Sequence, residues 1–210
     1  MNVSYRPNFT NIKFPVIILS SIRTGSTVLG HEIVKSNNEV DYFNEPLHFE
    51  NLYKLNDFKH SLFNKSNFLL KIHAWDLVKP RIKHETLPDI YKCLDKIKEL
   101  LINGATPIRI RRRSIVDQVA SAYMAKQNNT WHYTNDNIIP NLEIHHFEIA
   151  ETIKFVKHQN KVLNDLTYRF AYDLFYEDLD FSTDKIIKVP KPKNYDKLLE
   201  LVGTLIKKYD

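Results

Sequence analysis

The feature that most constrains the fold is an abrupt change of pattern near the start of the chain. Phe14 to Leu19 (FPVIIL) is a short apolar, β-branched run that ends in Ser20-Ser21-Ile22-Arg23-Thr24-Gly25-Ser26. Val28, Leu29, Ile33 and Val34 then recur at helical spacing. A strand buried on both faces that feeds a helix through a polar turn is a unit of parallel α/β architecture. The pattern repeats. Phe68–His73 (FLLKIH) and Thr106 to Arg112 (TPIRIRR) read as two more strands, separated by a helical stripe of Ile90, Leu94, Ile97 and Leu101 that stops at Gly104. Ile115, Val116, Val119, Ala120, Tyr123 and Met124 form the next helical face. The segment from Asn141 to Leu166 carries Ile144, Phe147, Ile153, Val156 and Leu163, which suits a long helix. Arg169 to Tyr176 returns to strand, and a last helix covers about Tyr195 to Lys207 with Leu198, Leu199, Val202 and Leu205 inward. The expected fold is α/β, a P-loop-like parallel sheet flanked by helices, with ligands gathered beyond the carboxyl ends of the strands.

At 210 residues and 43% hydrophobic content, residues 1–210 suit one domain with a sizeable core. The formal charge of +5 and pI near 9.1 favour anionic ligands. The lone Cys93 excludes an internal disulfide framework and reads as a buried structural thiol. The N-terminus has no apolar core of signal-peptide type, and no run approaches the roughly 18 apolar residues of a membrane span, so a soluble cytoplasmic protein is expected.

Two elements suit phosphate. Gly25, one of only four glycines, stands between strand and helix in Arg23-Thr24-Gly25-Ser26-Thr27. A glycine there lets the backbone approach an anion, with the helix N–H groups and the Ser26 and Thr27 hydroxyls as donors. The loop departs from GxxxxGK[ST]: no Lys follows Gly25, the upstream glycine is missing, and the basic residue comes first. FLLKIH also lacks the terminal Asp of a magnesium-positioning strand, which demotes a metal-dependent kinase. The second element is Arg113-Ser114-Ile115-Val116-Asp117-Gln118-Val119-Ala120-Ser121, where Arg113 offers a fork of donors and Ser121 a hydroxyl two helical turns on. Arg109 and Arg111 share one strand face opposite Ile108 and Ile110, so the basic run is not aimed as a whole at one ligand.

In this setting SIRTGSTVL resembles the 5′-phosphosulfate loop of sulfotransferases that use 3′-phosphoadenosine 5′-phosphosulfate (PAPS). RSIVDQVAS resembles their R-x-x-x-D-x-x-x-S element for the 3′-phosphate, and Tyr176-Glu177-Asp178-Leu179 resembles a further recurrent segment. The likeness runs from about Phe14 to Leu179. RTGST, Asn44-Glu45-Pro46-Leu47, and Gln127 followed by Trp131-His132 look most like the bacterial glycolipid and trehalose branch, and the Arg-type loop with its following Glu also resembles tyrosylprotein sulfotransferases.

The resemblance implies a sulfotransferase fold and transfer of a sulfuryl group from PAPS to a hydroxyl, with a carbohydrate or glycolipid acceptor favoured. Neither a metal nor a nucleic-acid partner is expected. It implies that Arg23, Thr24, Gly25, Ser26 and Thr27 bind the 5′ end of the donor, and Arg113 and Ser121 its 3′-phosphate. No Arg-Lys-Gly element like that of the cytosolic branch stands near the C-terminus; Lys188, Lys191 or Lys193 either replaces it or forms a solvated basic loop.

Arg23 is assigned to the charge growing on the departing nucleotide, because an arginine does not readily give up a proton. Two residues compete for the base. Glu45 resembles the Glu about twenty residues beyond the loop in Arg-type sulfotransferases, and His73 resembles the base in the K-x-H of the cytosolic branch. His145 and His146 lack metal-ligand spacing and read as surface residues of a helix. Two other classes stay open, a P-loop-type nucleotide kinase and a non-catalytic nucleic-acid-binding module using Ile108 to Arg113.

Overall fold

The computed structural model describes residues 8–37, 39–48, 51, 55–78, 87–127, 142–179 and 191–208. Five strands, β1 (Val16–Ser20), β2 (Asp41–Asn44), β3 (Phe68–His73), β4 (Thr106–Arg111) and β5 (Tyr172–Phe175), form one sheet in the order β2-β3-β1-β4-β5. All pairings are parallel. The helices are α1 (Ser26–Lys35), α2 (Leu55–Asn64), α3 (Ala74–Val78), α4 (Leu87–Asn103), α5 (Ile115–Gln127), α6 (His146–Asp165) and α7 (Tyr195–Lys208).

The sequence of β1 explains its central place. Every residue from Val16 to Ser20 is buried, so both faces must be covered. Ile17 and Leu19 join Leu70 and Ile72 of β3 beneath α2 and α4, with Leu163 of α6 at the margin. Val16 and Ile18 turn the other way, against Leu29 and Ile33 of α1 and against Phe9 and Ile12. This division follows from right-handed crossovers: the chain moves one way from β1 to β2 and the opposite way from β2 to β3, β3 to β4 and β4 to β5. A third cluster joins α5, α6 and α7 around Tyr123, Ile153 and Val202. Connections diverge between β1 and β4, the place in such a sheet where ligands gather beyond the strand carboxyl ends.

Cys93 lies fully buried under the sheet, where burial pushes its thiol up to about 11. It packs as an apolar residue and is inert as a nucleophile at neutral pH. No described helix is long and apolar enough to cross a membrane.

Several boundaries differ from the sequence reading. The fourth expected strand begins at Tyr172, because Arg169 to Ala171 lie ahead of the ladder, and it ends at Phe175, with Tyr176–Asp178 forming a 3-10 turn. The long helix begins at His146 in place of Asn141, and its Phe147 is 76% exposed. Phe147 belongs to the first turn, whose inward side is taken by Ile149 and Ala150. Helix α7 buries Tyr195 and Ile206 more deeply than Leu199 and Leu205. β2, α2 and α3 are additions to the sequence reading.

Candidate active site beyond β1, β3 and β4

The turn after β1 is tightly wound. Arg23 (φ 57°) and Gly25 (φ 75°) both adopt left-handed backbone, and the Thr24 hydroxyl donates to the Ser21 carbonyl at 3.1 Å. Thr24 is fully buried, so its hydroxyl holds the loop and its backbone is the part left for a ligand. The Gly25 carbonyl accepts the Leu29 N–H at 3.1 Å, which opens α1 and leaves the N–H groups of Ser26, Thr27 and Val28 outside the intrahelical ladder. These point where an anion is favoured.

Gly25 is required twice over. Its φ is one that side chains rarely adopt, and a Cβ there would run into the Tyr176 ring. Gly25→Ala is therefore expected to destabilise the fold by about 2–4 kcal/mol, combining backbone strain with overpacking. Urea unfolding measures this, and a loss below about 0.5 kcal/mol would show that Tyr176 moves aside freely.

The second phosphate-compatible element meets the first. Arg23 Nε donates to Ser121 Oγ at 2.9 Å, linking the loop to the second turn of α5. Gln118 is buried beside it and donates to Ser21 Oγ (2.9 Å) and the Ile22 carbonyl (2.6 Å). Asn160 of α6 completes this lattice, donating to Gln118 Oε1 at 2.8 Å and accepting from Ser21 Oγ at 2.6 Å. Arg112 donates to the Arg23 carbonyl at 3.2 Å and lies over the Tyr176 ring.

The turn Tyr176–Asp178 braces both elements. The Glu177 carboxylate accepts the Arg113 N–H at 3.0 and 3.1 Å and the Ser114 N–H at 3.3 Å, capping the approach to α5. Asp178 pairs with the Arg113 guanidinium, which is half exposed. Thus the guanidinium assigned to the donor's 3′-phosphate is held by a carboxylate. Arg109 and Arg111 both grip Asp173, the register partner of Arg109 on β5.

Register brings the candidate bases together. Asn44 pairs with Lys71, so Glu45 emerges directly above β3, and its N–H donates to the Lys71 carbonyl at 2.8 Å. Glu45 has φ 50°, an uncommon conformation for a non-glycine residue. Asn51 Nδ2 fixes this bend through the carbonyls of Glu45 (3.0 Å) and Asn44 (3.3 Å). Lys71 Nζ and His73 Nε2 both meet Glu45 Oε1, the histidine at 3.0 Å.

On the other side of the ring, His73 Nδ1 lies 3.4 Å from Ser20 Oγ, as the Ser20–His73 register dictates. Lys71 is 2% and His73 8% exposed. Burial pushes the Lys71 ammonium down to about 7; the Asp76 carboxylate opposes this shift and the Arg23 charge adds to it. Arg23 therefore lies near enough for its charge to act on Lys71 while it touches Ser121.

The sequence reading missed Gln118, Asn160, Asn51 and Ser20 as builders of this site, and quoted Lys71 only as part of K-x-H. A lysine inside the apolar run FLLKIH was the one available signal, since an unpaired ammonium is not retained in such a strand. Lys191 lies over the Tyr195 ring and Lys193 is exposed; Lys188, Trp131 and His132 lie outside the described residues. His145 stands just before the first turn of α6 and His146 begins it, both exposed.

Fold and site together define an α/β protein with a five-stranded, all-parallel sheet flanked by helices, compatible with a P-loop-like fold. Comparison with family models returns no match, and neither does comparison with curated proteins.

Proposed function

We propose that the chain is a sulfotransferase that moves a sulfuryl group from PAPS to a hydroxyl of an acceptor, with a carbohydrate or glycolipid favoured, on a sulfotransferase-type version of this sheet. The observation that carries the reading is the Arg23–Ser121 contact, which joins two phosphate-compatible elements on the side of the sheet where Glu45 and His73 meet. Ser26, Thr27 and the backbone of Thr24 and Gly25 hold the 5′ end of the donor, and Arg113 and Ser121 the 3′-phosphate. The acceptor oxygen attacks sulfur, its proton passes to Glu45, and the bond from sulfur to the bridging phosphate oxygen breaks. Negative charge arrives on that oxygen, where Arg23 and the α1 N–H groups stabilise it.

Glu45 is favoured over His73 as base because both nitrogens of His73 are engaged, one toward Glu45 and one toward Ser20. Ion pairing weakens the nucleic-acid reading: Asp173, Glu177 and Asp178 partner the side chains of Arg109 and Arg111, Arg112, and Arg113 in turn, so three carboxylates offset most of the charge of four guanidinium groups.

The test is labelled PAPS offered with sugars, glycolipids, peptides and small alcohols, and the expected result is label on a hydroxyl acceptor without magnesium. Magnesium-dependent transfer from ATP in place of it would establish the kinase. The 3′-phosphate assignment gives a separate prediction. Arg113→Ala should weaken adenosine 3′,5′-bisphosphate about tenfold, the scale of one hydrogen bond to a charged group, and barely affect adenosine 5′-monophosphate. Calorimetry showing equal losses for both nucleotides would remove Arg113 from that role.

A further inference from the structure

We propose that Lys71 is a positioning residue that holds Glu45 by a single carboxylate oxygen and presents the other, Oε2, to the acceptor hydroxyl. The inference rests on the sulfotransferase reading for the identity of that hydroxyl, and on geometry for the rest. Lys71 grips Glu45 at two points: its carbonyl accepts the Glu45 N–H at 2.8 Å, and its Nζ contacts Oε1. His73 Nε2 reaches the same oxygen at 3.0 Å. Both of these side-chain contacts fall on Oε1, and the Glu45 side chain keeps 19% of its surface exposed while that of Lys71 keeps 3%. A partly exposed carboxylate fixed through one oxygen from within the protein has its other oxygen left for an acceptor.

An apolar side chain at position 71 would fill a buried strand without the cost of desolvating a charge. The lysine is instead placed under the residue that must lose and gain a proton. When the acceptor proton moves to Oε2, Glu45 becomes neutral and the Lys71 ammonium stays behind, sharing its environment with His73, Asp76 and Arg23. The ammonium thus favours the carboxylate form before the step and restrains its direction during it. Because the Lys71 ammonium and the Glu45 carboxylate are in direct contact, the two groups titrate as a coupled pair.

The test is Lys71→Met, read in two ways. Carbon-13 NMR of the Glu45 carboxyl should show its titration moving up by a pH unit or more, since a neighbouring cation is lost. The acid limb of the kcat/KM profile should move up with it, and kcat should fall more than KM rises. An unmoved Glu45 titration overturns the proposal. If Lys71→Met does not fold, Glu45→Gln is read on Lys71 by nitrogen-15 NMR: the lysine should titrate at lower pH once its carboxylate partner is gone, and an unchanged titration overturns the proposal equally. The NMR readouts need no turnover. Coupled titrations in a protein that transfers no sulfuryl group would keep Lys71 as the partner of Glu45 and reject the sulfotransferase reading, whereas turnover with uncoupled titrations would do the reverse.

Discussion

Glu45→Gln is expected to lower sulfuryl transfer by about 10²–10⁴-fold, the scale of losing a general base, with affinity for adenosine 3′,5′-bisphosphate close to the unmodified protein. Gln keeps the shape of Glu and its ability to accept from Lys71 and His73 through one oxygen, and removes only the capacity to take a proton. The phosphate-binding groups lie on the β1 loop and α5, whereas Glu45 follows β2, so nucleotide binding is not expected to sense the change. His73→Asn should retain measurable activity, because His73 supports Glu45 Oε1 from a buried position between that carboxylate and Ser20. Single-turnover transfer by both variants is the measurement. An active Glu45→Gln beside an inactive but nucleotide-binding His73→Asn would exchange the two roles.

Arg23→Ala should reduce turnover by about 10²–10³-fold and weaken bisphosphate binding by a smaller factor. The reason lies in timing: charge on the leaving oxygen appears as the sulfur–oxygen bond breaks, so a cation placed there contributes more to the transition state than to the bound donor. Arg23 is fitted for this by position. It occupies a left-handed turn, its Nε is anchored on Ser121, and its carbonyl is held by Arg112, so its guanidinium is oriented before any donor arrives. Turnover and bisphosphate affinity falling by the same factor would mean that Arg23 only binds.

The parts of the fold that were legible are those whose burial leaves a mark on every residue. β1, β3 and β4 carry runs buried on one or both faces, and α4 shows a complete stripe of Ile90, Leu94, Ile97 and Leu101. β2 was not legible because Asp-Tyr-Phe-Asn is short and only partly buried, with Asp41 bound to Ser61 and Lys65 where a core strand would carry an apolar side chain. α3 is too short for a helical period to show, and α2 buries only Leu55, Phe58, Ser61 and Leu62.

The site divides in the same way. Residues adjacent in sequence, such as Arg23 to Thr27, declare themselves as a motif. Partnerships across elements do not, because register sets them: Glu45 meets Lys71 only because Asn44 pairs with that lysine, and Ser20 meets His73 only through the β1–β3 ladder. The bend at Glu45 and the seat of Tyr176 over Gly25 are likewise tertiary facts with no local sequence signal.

The most direct test of the central claim is a calorimetric comparison of adenosine 3′,5′-bisphosphate with adenosine 5′-monophosphate, carried out with a chelator so that no magnesium is present. Two phosphate-compatible elements joined through Arg23 and Ser121 predict tighter binding of the bisphosphate by about tenfold or more, because the second phosphate meets Arg113 just ahead of α5 and the Ser121 hydroxyl on it. Equal affinity for the two nucleotides, or binding that appears only when magnesium is restored, would contradict the assignment of a PAPS site.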